Sequence, residues 1–477
     1  MVCGGAQGGA CPDILEHVEP KTLSYSEPGV DRKEGQISGL VVVLAGGAPA
    51  ASPVPLVAGQ IELGRDAGRV GMCKLDDERV SRQHARVELD GGRWRVTDLG
   101  SHNGTFADGE RMPPRTSRSF HRVLRVGETL LVPCPDVRPF EKAAVRVIGG
   151  FVRGPTMQAI IAEVERIAQV NTALHVHGET GTGKEGVVGA FHHASSRATR
   201  PMVPVNCAAI PPGLAERLLF GAKRGAYSGA DADAAGYVQE ADGSTLFLDE
   251  IAELDLQVQA TLLRVLEYKE VLPVGGTRPR KVELALCTAT NKDLRALVAE
   301  GKMRQDLYFR IATPSVRLPP LRDRPEEIPA LIVGSLERLS PTLSPHVLLV
   351  EQCLLRPWPG NVRELLSDLR IAGQAAAAEG ERVMAHHLAP TAGCAFGEGR
   401  PAPRSRSPEE PRPADPRRPR LSRKDEALRQ RIVEGLCTER GNITATARKL
   451  GLYRTQLRRL MTHHDLTVES ASRAPGQ

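Results

Sequence analysis

The sequence predicts a multidomain chain: an all-β sandwich, then an α/β P-loop domain with a helical lid, then an all-α tail. Three observations predict it. Short runs of apolar alternation broken by turn residues fill the stretch from Leu40 to about Val147, and helical spacing interleaved with apolar strands takes over after Gly149. A glycine-rich loop ending in Lys184 directly follows one of those strands. Near the C-terminus a proline- and arginine-rich stretch interrupts the pattern before helical periodicity returns.

Each part can be justified in order. Residues 1–37 are polar and aperiodic and are expected to form a flexible tail. Within 38–148, His84–Leu89 alternates with period two, the Asp90-Gly91-Gly92 turn follows, and Arg93–Thr97 alternates again. That is a hairpin signal, and Gln60–Leu63, Leu130–Val132 and Ala144–Ile148 read as further strands of the same sandwich. Over 149–390, Met157–Val170 has helical spacing through Ile160, Ile161, Val164 and Ile167. The apolar strand Ala173–His177 comes next, and alternation of strands and helices to about Leu388 predicts a parallel sheet and a helical lid. Residues 391–422 cannot bury a core and read as a semi-rigid basic linker. Over 423–470, Leu428, Ile432, Val433 and Leu436, then Ala447, Leu450, Leu457 and Leu460, predict helices.

Composition limits the function classes. A net charge of +6 on 477 residues is too mild to argue for nucleic acid, so placement of the basic residues has to carry that argument. Nine cysteines with no CxxC pair suit scattered reduced thiols rather than a disulfide frame or zinc site. The first residues lack a basic segment followed by an apolar run, and no apolar stretch approaches the ~20 residues of a membrane helix. The expectation is a soluble, cytoplasmic protein with no membrane partner.

Gly178, Glu179, Thr180, Gly181, Thr182, Gly183, Lys184 and Glu185 fit GxxxxGK, with Glu where Ser or Thr usually follows. Glycines let backbone N–H groups close around phosphate oxygens, and the lysine can reach the β- and γ-phosphates. Downstream, Thr245–Asp249 is an apolar strand ending in Asp249-Glu250, where one carboxylate would position Mg²⁺ and the other activate water. Glu185 removes the usual hydroxyl ligand, so more of the metal's coordination falls on Asp249. A glycine-rich turn unrelated to nucleotides is the plain alternative; strand, lysine and acidic pair together weigh against it.

These motifs carry a resemblance. GETGTGKE (178–185), Asn206-Cys-Ala-Ala, Phe220-Gly221, LFLDEI (246–251), LLRVLEYKEVLPVGG (262–276), Ala289–Leu294, RQDLYFR (304–310), LPPLRDR (318–324) and WPGNVREL (358–365) resemble the AAA+ domain of sigma-54-dependent activators. The resemblance implies ATP on residues 178–185, Mg²⁺ on Asp249, water polarised by Glu250, and Asn206 as a switch restraining Glu250. It also implies Thr290 and Asn291 as a first sensor, Arg363 as a second, and Arg304 and Arg310 as fingers entering a neighbouring subunit's site. Fingers in trans imply a homo-oligomeric ring, usually a hexamer, because a guanidinium placed across an interface couples hydrolysis to assembly. Taken singly, either arginine would be an ordinary surface residue.

Gly225, Ala226, Tyr227, Ser228, Gly229 and Ala230 occupy the place of that family's GAFTGA loop, which grips the sigma factor. Phe becomes Tyr and Thr becomes Ser; the serine gives up one methyl, roughly 0.8 kcal/mol of apolar contact. The resemblance thus implies sigma-54 RNA polymerase as partner. An ordinary Gly-Ala surface loop is the alternative.

In the sandwich, Leu63-Gly-Arg65, Ser81-Arg82-Gln-His84 and Asn103-Gly-Thr105 resemble a forkhead-associated (FHA) domain. The resemblance implies phosphothreonine held by Arg65, Ser81 and Arg82, peptide backbone held by Asn103, and His84 as a brace for the loops. The phosphothreonine lies on another protein or on this chain, Thr22 being one candidate. The plain alternative is a sandwich whose polar residues merely cap turns. In the tail, Asn442–Leu460 resembles a Fis-type helix-turn-helix, with Arg454, Thr455, Gln456, Arg458 and Arg459 exposed toward DNA. The leading expectation is an ATPase that remodels sigma-54 polymerase from upstream DNA. Two others remain open: a phosphopeptide-binding scaffold without turnover, and a remodeller of another target.

Overall fold

An uninterrupted apolar run, β1 (Gly39–Ala45), opens the N-terminal sandwich and pairs antiparallel with β2 (Ala48–Pro55). The chain continues through β3 (Gln60–Gly64), β4 (Met72–Lys74), β5 (Ala85–Asp90), β6 (Arg93–Asp98), β7 (Thr105–Ala107), β8 (Glu110–Arg111), β9 (Ser117–Ser119), β10 (Leu124–Val126) and β11 (Thr129–Cys134). One sheet has the order β2-β1-β11-β10-β7-β8 and the other β4-β3-β5-β6-β9. In the expected hairpin Leu89 faces Trp94, and Gly91 and Gly92 take φ of 53° and 81° at the turn. Leu40, Val42, Leu63, Val87, Val96, Phe120 and Leu131 fill the space between the sheets.

This computed structural model describes residues 35–66, 71–211, 213–226, 232–396, 423–439 and 443–450, with Leu457 and Leu460, in two units divided between Pro401 and Ala402. Four expectations fall outside the described residues: the tail before residue 35, the 397–422 part of the linker, the loop tip Tyr227, Ser228, Gly229 and Ala230, and the DNA-facing set Arg454, Thr455, Gln456, Arg458 and Arg459.

Ala144–Ile148 departs from expectation. After α1 (Arg138–Lys142), β12 (Arg146–Ile148) pairs with β13 (Phe151–Arg153) as a two-stranded ribbon outside the sandwich. Gly149 and Gly150, at φ 58° and 78°, make a two-residue turn, so the alternation there belongs to a local hairpin.

The α/β part runs α2 (Pro155–Val170), β14 (Ala173–His177), α3 (Lys184–Ala194), β15 (Val203–Asn206), α4 (Ala215–Phe220), α5 (Tyr237–Glu240), β16 (Thr245–Asp249) and α6 (Leu256–Tyr268). A small hairpin, β17 (Glu270–Val271) and β18 (Arg280–Lys281), precedes β19 (Ala285–Thr290), α7 (Leu294–Ala299), α8 (Gln305–Ile311) and β20 (Ser315–Arg317). Strands β15-β16-β19-β14-β20 form one parallel sheet. Helices cover both of its faces, which is why every residue of β19 and the first four of β16 are buried. Because β19 lies between β14 and β16, its last residue, Thr290, stands between the glycine loop and the acidic pair.

The lid consists of α9 (Ile328–Leu339), α10 (Val347–Leu355) and α11 (Asn361–Ala377). Trp358, fully buried, donates its Nε1–H to the Cys353 carbonyl at 2.7 Å and fixes the α10–α11 corner. In the C-terminal unit α12 (Arg423–Thr438) and α13 (Ile443–Lys449) meet through Ile432, Leu436 and Ala447, and Leu457 joins the same cluster. No helix among the described residues is long and apolar enough to cross a membrane.

Candidate functional site

The glycine loop leaves β14 and closes over the N-terminus of α3, whose first residue is Lys184. Gly181 and Gly183 have φ of 78° and 99°. A Cβ on Gly181 would lie 2.2 Å from the Gly360 carbonyl, and one on Gly183 would lie 2.9 Å from the Phe151 ring, so only glycine fits. A cavity of about 310 Å³ opens beside the loop, lined by Gly181, Gly183, Lys184, Asp249, Glu250 and Arg363 among others. Phe151, Val147, Leu331 and Leu366 supply an apolar wall at the same cavity. Backbone amides and cations together with an apolar wall in one cavity fit a nucleotide's phosphates and base.

Lys184 is buried, donates to the carbonyls of Gly178 (3.0 Å) and Glu179 (3.5 Å), and lies 3.6 Å from Glu250 Oε1. Burial pushes the Asp249 carboxyl above its usual range, against the opposing pull of Lys184. Glu250 sits at φ 51°, in the left-handed region that non-glycine residues enter at a cost of about 1–2 kcal/mol. That backbone turns its carboxylate toward β19, where Thr290 Oγ1 and the Asn291 N–H approach Oε2 at 3.5 and 3.4 Å. Asn291 Nδ2 also donates to Thr180 Oγ1 at 3.2 Å, tying the end of β19 to the glycine loop.

Lysine, the acidic pair, Thr290, Asn291 and Arg363 therefore converge. Glu185 lines the same cavity and is exposed. Asn206 stands abreast of Asp249 in the strand register, but its Oδ1 accepts the Ala208 N–H (3.0 Å) and caps its own turn. Arg304 forks onto its neighbour Asp306 at 2.7 and 3.1 Å, and Arg310 donates to the Leu266 carbonyl at 3.1 Å. Both are exposed and neither lines the nucleotide cavity of this chain.

Sequence reasoning assigned no role to Asn361, Arg322 or Arg324, which hold the loop from the lid side. Asn361 Nδ2 donates to the Thr180 carbonyl (3.0 Å) and Glu179 Oε2 (3.1 Å), while Oδ1 accepts the Leu321 N–H (2.7 Å). Val362 N–H reaches the Gly181 carbonyl at 3.1 Å. Arg324, 1% exposed, donates to the Thr182 carbonyl (2.7 Å) and pairs with buried Glu327 (2.8 Å). Arg322 forks onto Glu179 at 2.7 and 2.9 Å and holds that carboxyl below its usual range. The available signal was two arginines and an asparagine inside motifs already singled out, LPPLRDR and WPGNVREL.

The stem of the 225–230 loop is well defined. Ala222 bridges Ala234, Lys223 pairs with Asp233 at 2.5 Å, and the Val274 backbone braces Gly221 and Lys223. Gly225 and Ala226 complete its described portion.

At the loop end of the sandwich His84 is fully buried. Its Nδ1 accepts the Ser81 N–H (3.0 Å), which leaves the Nε2 proton for the Gly104 carbonyl (3.3 Å). Burial holds its pKa below the usual histidine value, so it stays a neutral brace. Ser81 Oγ accepts the His102 N–H, and Asn103 Nδ2 donates to the Arg79 carbonyl. Asp98 ties this end together: burial works to raise its pKa, but the hydroxyls of Ser101 and Thr105 with two backbone amides hold it low. Arg65, Arg82 and Asn103 are exposed side by side with this scaffold. Among the described residues neither Arg65 nor Arg82 is paired with a carboxylate.

Comparison with known proteins bears on this geometry. The sigma-54 interaction domain family matches residues 151–317, and the FHA domain family matches residues 61–129. The transcriptional regulatory protein XylR of Pseudomonas putida is 44% identical over 225 residues, 46% of this chain and 40% of XylR. The hydrogenase transcriptional regulatory protein HoxA of Bradyrhizobium diazoefficiens is 38% identical over 320 residues, 65% of this chain and 63% of HoxA. The chain thus spans less than two thirds of the length of these relatives. Among solved structures, NtrX of Brucella abortus in complex with ATP is similar at 26% identity and a TM-score of 0.48, over 66% of this chain and 69% of that one. The glycine loop, Lys184, Asp249 and Glu250 and the loop stem at Ala222–Ala234 fall within the first matched region, the lid side of the cavity lies beyond it, and the His84-braced loops fall within the second. The chain carries a sigma-54 interaction domain preceded by an FHA domain.

Proposed function

We propose that this protein is an ATP-dependent transcriptional activator that remodels sigma-54 RNA polymerase holoenzyme to permit open-complex formation, under control of phosphothreonine recognition. The observation that carries it is one cavity holding Lys184, Asp249, Glu250 and Arg363 around a glycine cradle, with Thr290 and Asn291 hydrogen-bonded to Glu250 and Thr180 of its lining. In the same sigma-54 interaction domain, a braced stem carries the 225–230 loop. ATP is the substrate of that cavity. Bound Mg²⁺ would neutralise phosphate charge, with Asp249 as the side chain to hold it and no hydroxyl at position 185 to assist.

Each side chain then has a physical task. Lys184 exchanges the Gly178 and Glu179 carbonyls for phosphate oxygens. Glu250, aimed by its left-handed backbone and by Thr290 and Asn291, accepts a proton from the attacking water. Asn206, beside Asp249, is the switch that restrains Glu250 once it leaves its Ala208 cap. Arg304 and Arg310, outside their own cavity, act in a neighbouring subunit's site, which requires a ring, taken as a hexamer. The loop Gly225, Ala226, Tyr227, Ser228, Gly229 and Ala230 presses its aromatic onto sigma-54. Arg65, Ser81, Arg82 and Asn103 hold a phosphothreonine peptide. Arg454, Thr455, Gln456, Arg458 and Arg459 of a Fis-type helix-turn-helix face upstream DNA.

The test is ATP hydrolysis measured with and without sigma-54 polymerase on a closed promoter complex. The proposal expects hydrolysis that responds to polymerase and is accompanied by promoter melting. A chain that binds phosphopeptide but never hydrolyses ATP is a scaffold; one that hydrolyses ATP without melting DNA acts on another target.

A further inference from the structure

The sandwich has two buried faces on its first sheet. Leu40, Val42 and Leu131 point into its own core, while Val41, Val43, Leu130 and Val132, one register step away, belong to the core of the lid. There they join Ile328, Leu331, Val350 and Leu354 of α9 and α10. Strand alternation sends neighbours to opposite faces, so a run such as Leu40–Leu44 with no polar residue is a strand covered on both sides. At the margin of this contact Arg125, stacked on Phe106 with 3.5 Å to the ring centroid, pairs with Glu351 of α10 at 2.9 Å. The two side chains are 11% and 2% exposed, and Glu351 Oε1 has no partner. Arg122 adds a bond to the Leu355 carbonyl at the C-terminal end of α10.

The lid elements next to this contact also hold the glycine loop. Arg324 grips the Thr182 carbonyl, and Asn361 and Val362 grip those of Thr180 and Gly181. On the other side the contact reaches the sandwich's loop end. Asp77 accepts the Glu128 N–H (2.6 Å), Arg79 pairs with Glu128 (2.9 Å), and Asn103 holds the Arg79 carbonyl (2.7 Å). Glu128, Arg79 and Arg125 all act electrostatically on His346, the N-cap of α10.

We infer that the FHA sandwich is docked on the lid through the β1/β11 outer face and the Arg125–Glu351 pair, and that this docking sets the affinity of the nucleotide cavity. A sandwich that leaves the lid frees α9 and α10, and with them loosens the segments that flank them, Arg324 ahead of α9 and Asn361 and Val362 at the start of α11, which fix the loop carbonyls; nucleotide is then held less tightly. Linkage makes the effect reciprocal, so nucleotide in the cavity favours the docked sandwich. The half-satisfied carboxylate makes the contact releasable, since a buried pair lacking full hydrogen bonding adds little net stability. This rests on the nucleotide-cavity reading and is independent of whether the loop end takes phosphothreonine.

The experiment uses the full chain and Mg²⁺ with a fluorescent ADP analogue. Arg125→Glu sets two carboxylates against each other, and the double exchange Arg125→Glu/Glu351→Arg re-pairs them. The single variant is expected to bind the analogue at least threefold more weakly and to lose amide-exchange protection over 347–355; the double variant is expected to recover both. Unchanged or tighter binding in a single variant whose 347–355 segment has opened overturns the coupling. Protection that does not fall in the single variant overturns the role given to the ion pair. Absence of binding by the parent chain overturns the cavity reading itself, a separate failure.

Discussion

Replacing Asn361 with alanine tests how the lid holds the glycine loop. The side chain is fully buried, and its amide nitrogen is shared among the Thr180 carbonyl, Glu179 Oε2 and the Pro359 carbonyl, while its oxygen takes the Leu321 N–H. Alanine leaves the Leu321 donor and the Thr180 acceptor without their partner; each costs about 1–3 kcal/mol. The residue also sits at φ 53°, where asparagine is tolerated and alanine adds about 1 kcal/mol more. The sum, roughly 3–7 kcal/mol, corresponds to a fall in the thermal midpoint on the order of 5–15 °C. Asn361→Gly removes the same bonds without the backbone penalty and should lie about 1 kcal/mol above alanine. The assays are calorimetric unfolding and the dependence of ATP hydrolysis on ATP concentration. KM should rise several-fold in both variants because the loop carbonyls are released, while Glu250 and its partners stay in place. A midpoint within a degree of the parent together with an unaltered KM would refute the latch.

Further predictions concern single side chains. Glu326 is almost wholly buried beside Glu327, and burial pushes its pKa up to about 8 from 4.5. The folded chain therefore keeps this proton while the unfolded chain loses it, so stability falls as pH rises from about 4.5 to 8, by roughly 1.4 kcal/mol per pH unit at most. Glu326→Gln removes that loss, and its advantage in urea midpoint over the parent should be larger at pH 9 than at pH 5; an equal gap at both would count against the assignment. Glu250→Gln should retain nucleotide binding and lose hydrolysis by roughly 10²–10⁴-fold; phosphate release within tenfold of the parent would contradict its role. Arg65→Ala should abolish binding of a phosphothreonine peptide in calorimetry, and equal affinity in variant and parent would remove the residue from that site.

Much of the fold was legible because the period of the apolar residues reports which faces are covered. The hairpin at Asp90-Gly91-Gly92, the helix through Ile160 and Val164, and the strand before the glycine loop all follow from local chemistry. Ala144–Ile148 misled because alternation identifies a strand without naming its partner; the Gly149-Gly150 turn held that information. The double-sided burial of β1 was present in the unbroken run Leu40–Leu44, but which element would cover the outer face is a tertiary fact. In the site, residues whose identity follows from phosphate chemistry, Lys184, Asp249 and Glu250, could be named from the sequence. Asn361 and Arg324 could not, since they act on backbone carbonyls and any buried hydrogen-bonding side chain reads alike until the chain is folded.

The central claim is that hydrolysis in the Lys184 cavity drives the 225–230 loop to open a promoter. Permanganate reactivity of promoter thymines, followed with the purified full chain, sigma-54 polymerase and ATP, reports this directly. The account predicts melted DNA that requires ATP and disappears with Tyr227→Ala. Steady ATP consumption with the promoter still closed, or equal melting by the Tyr227→Ala chain, would contradict it.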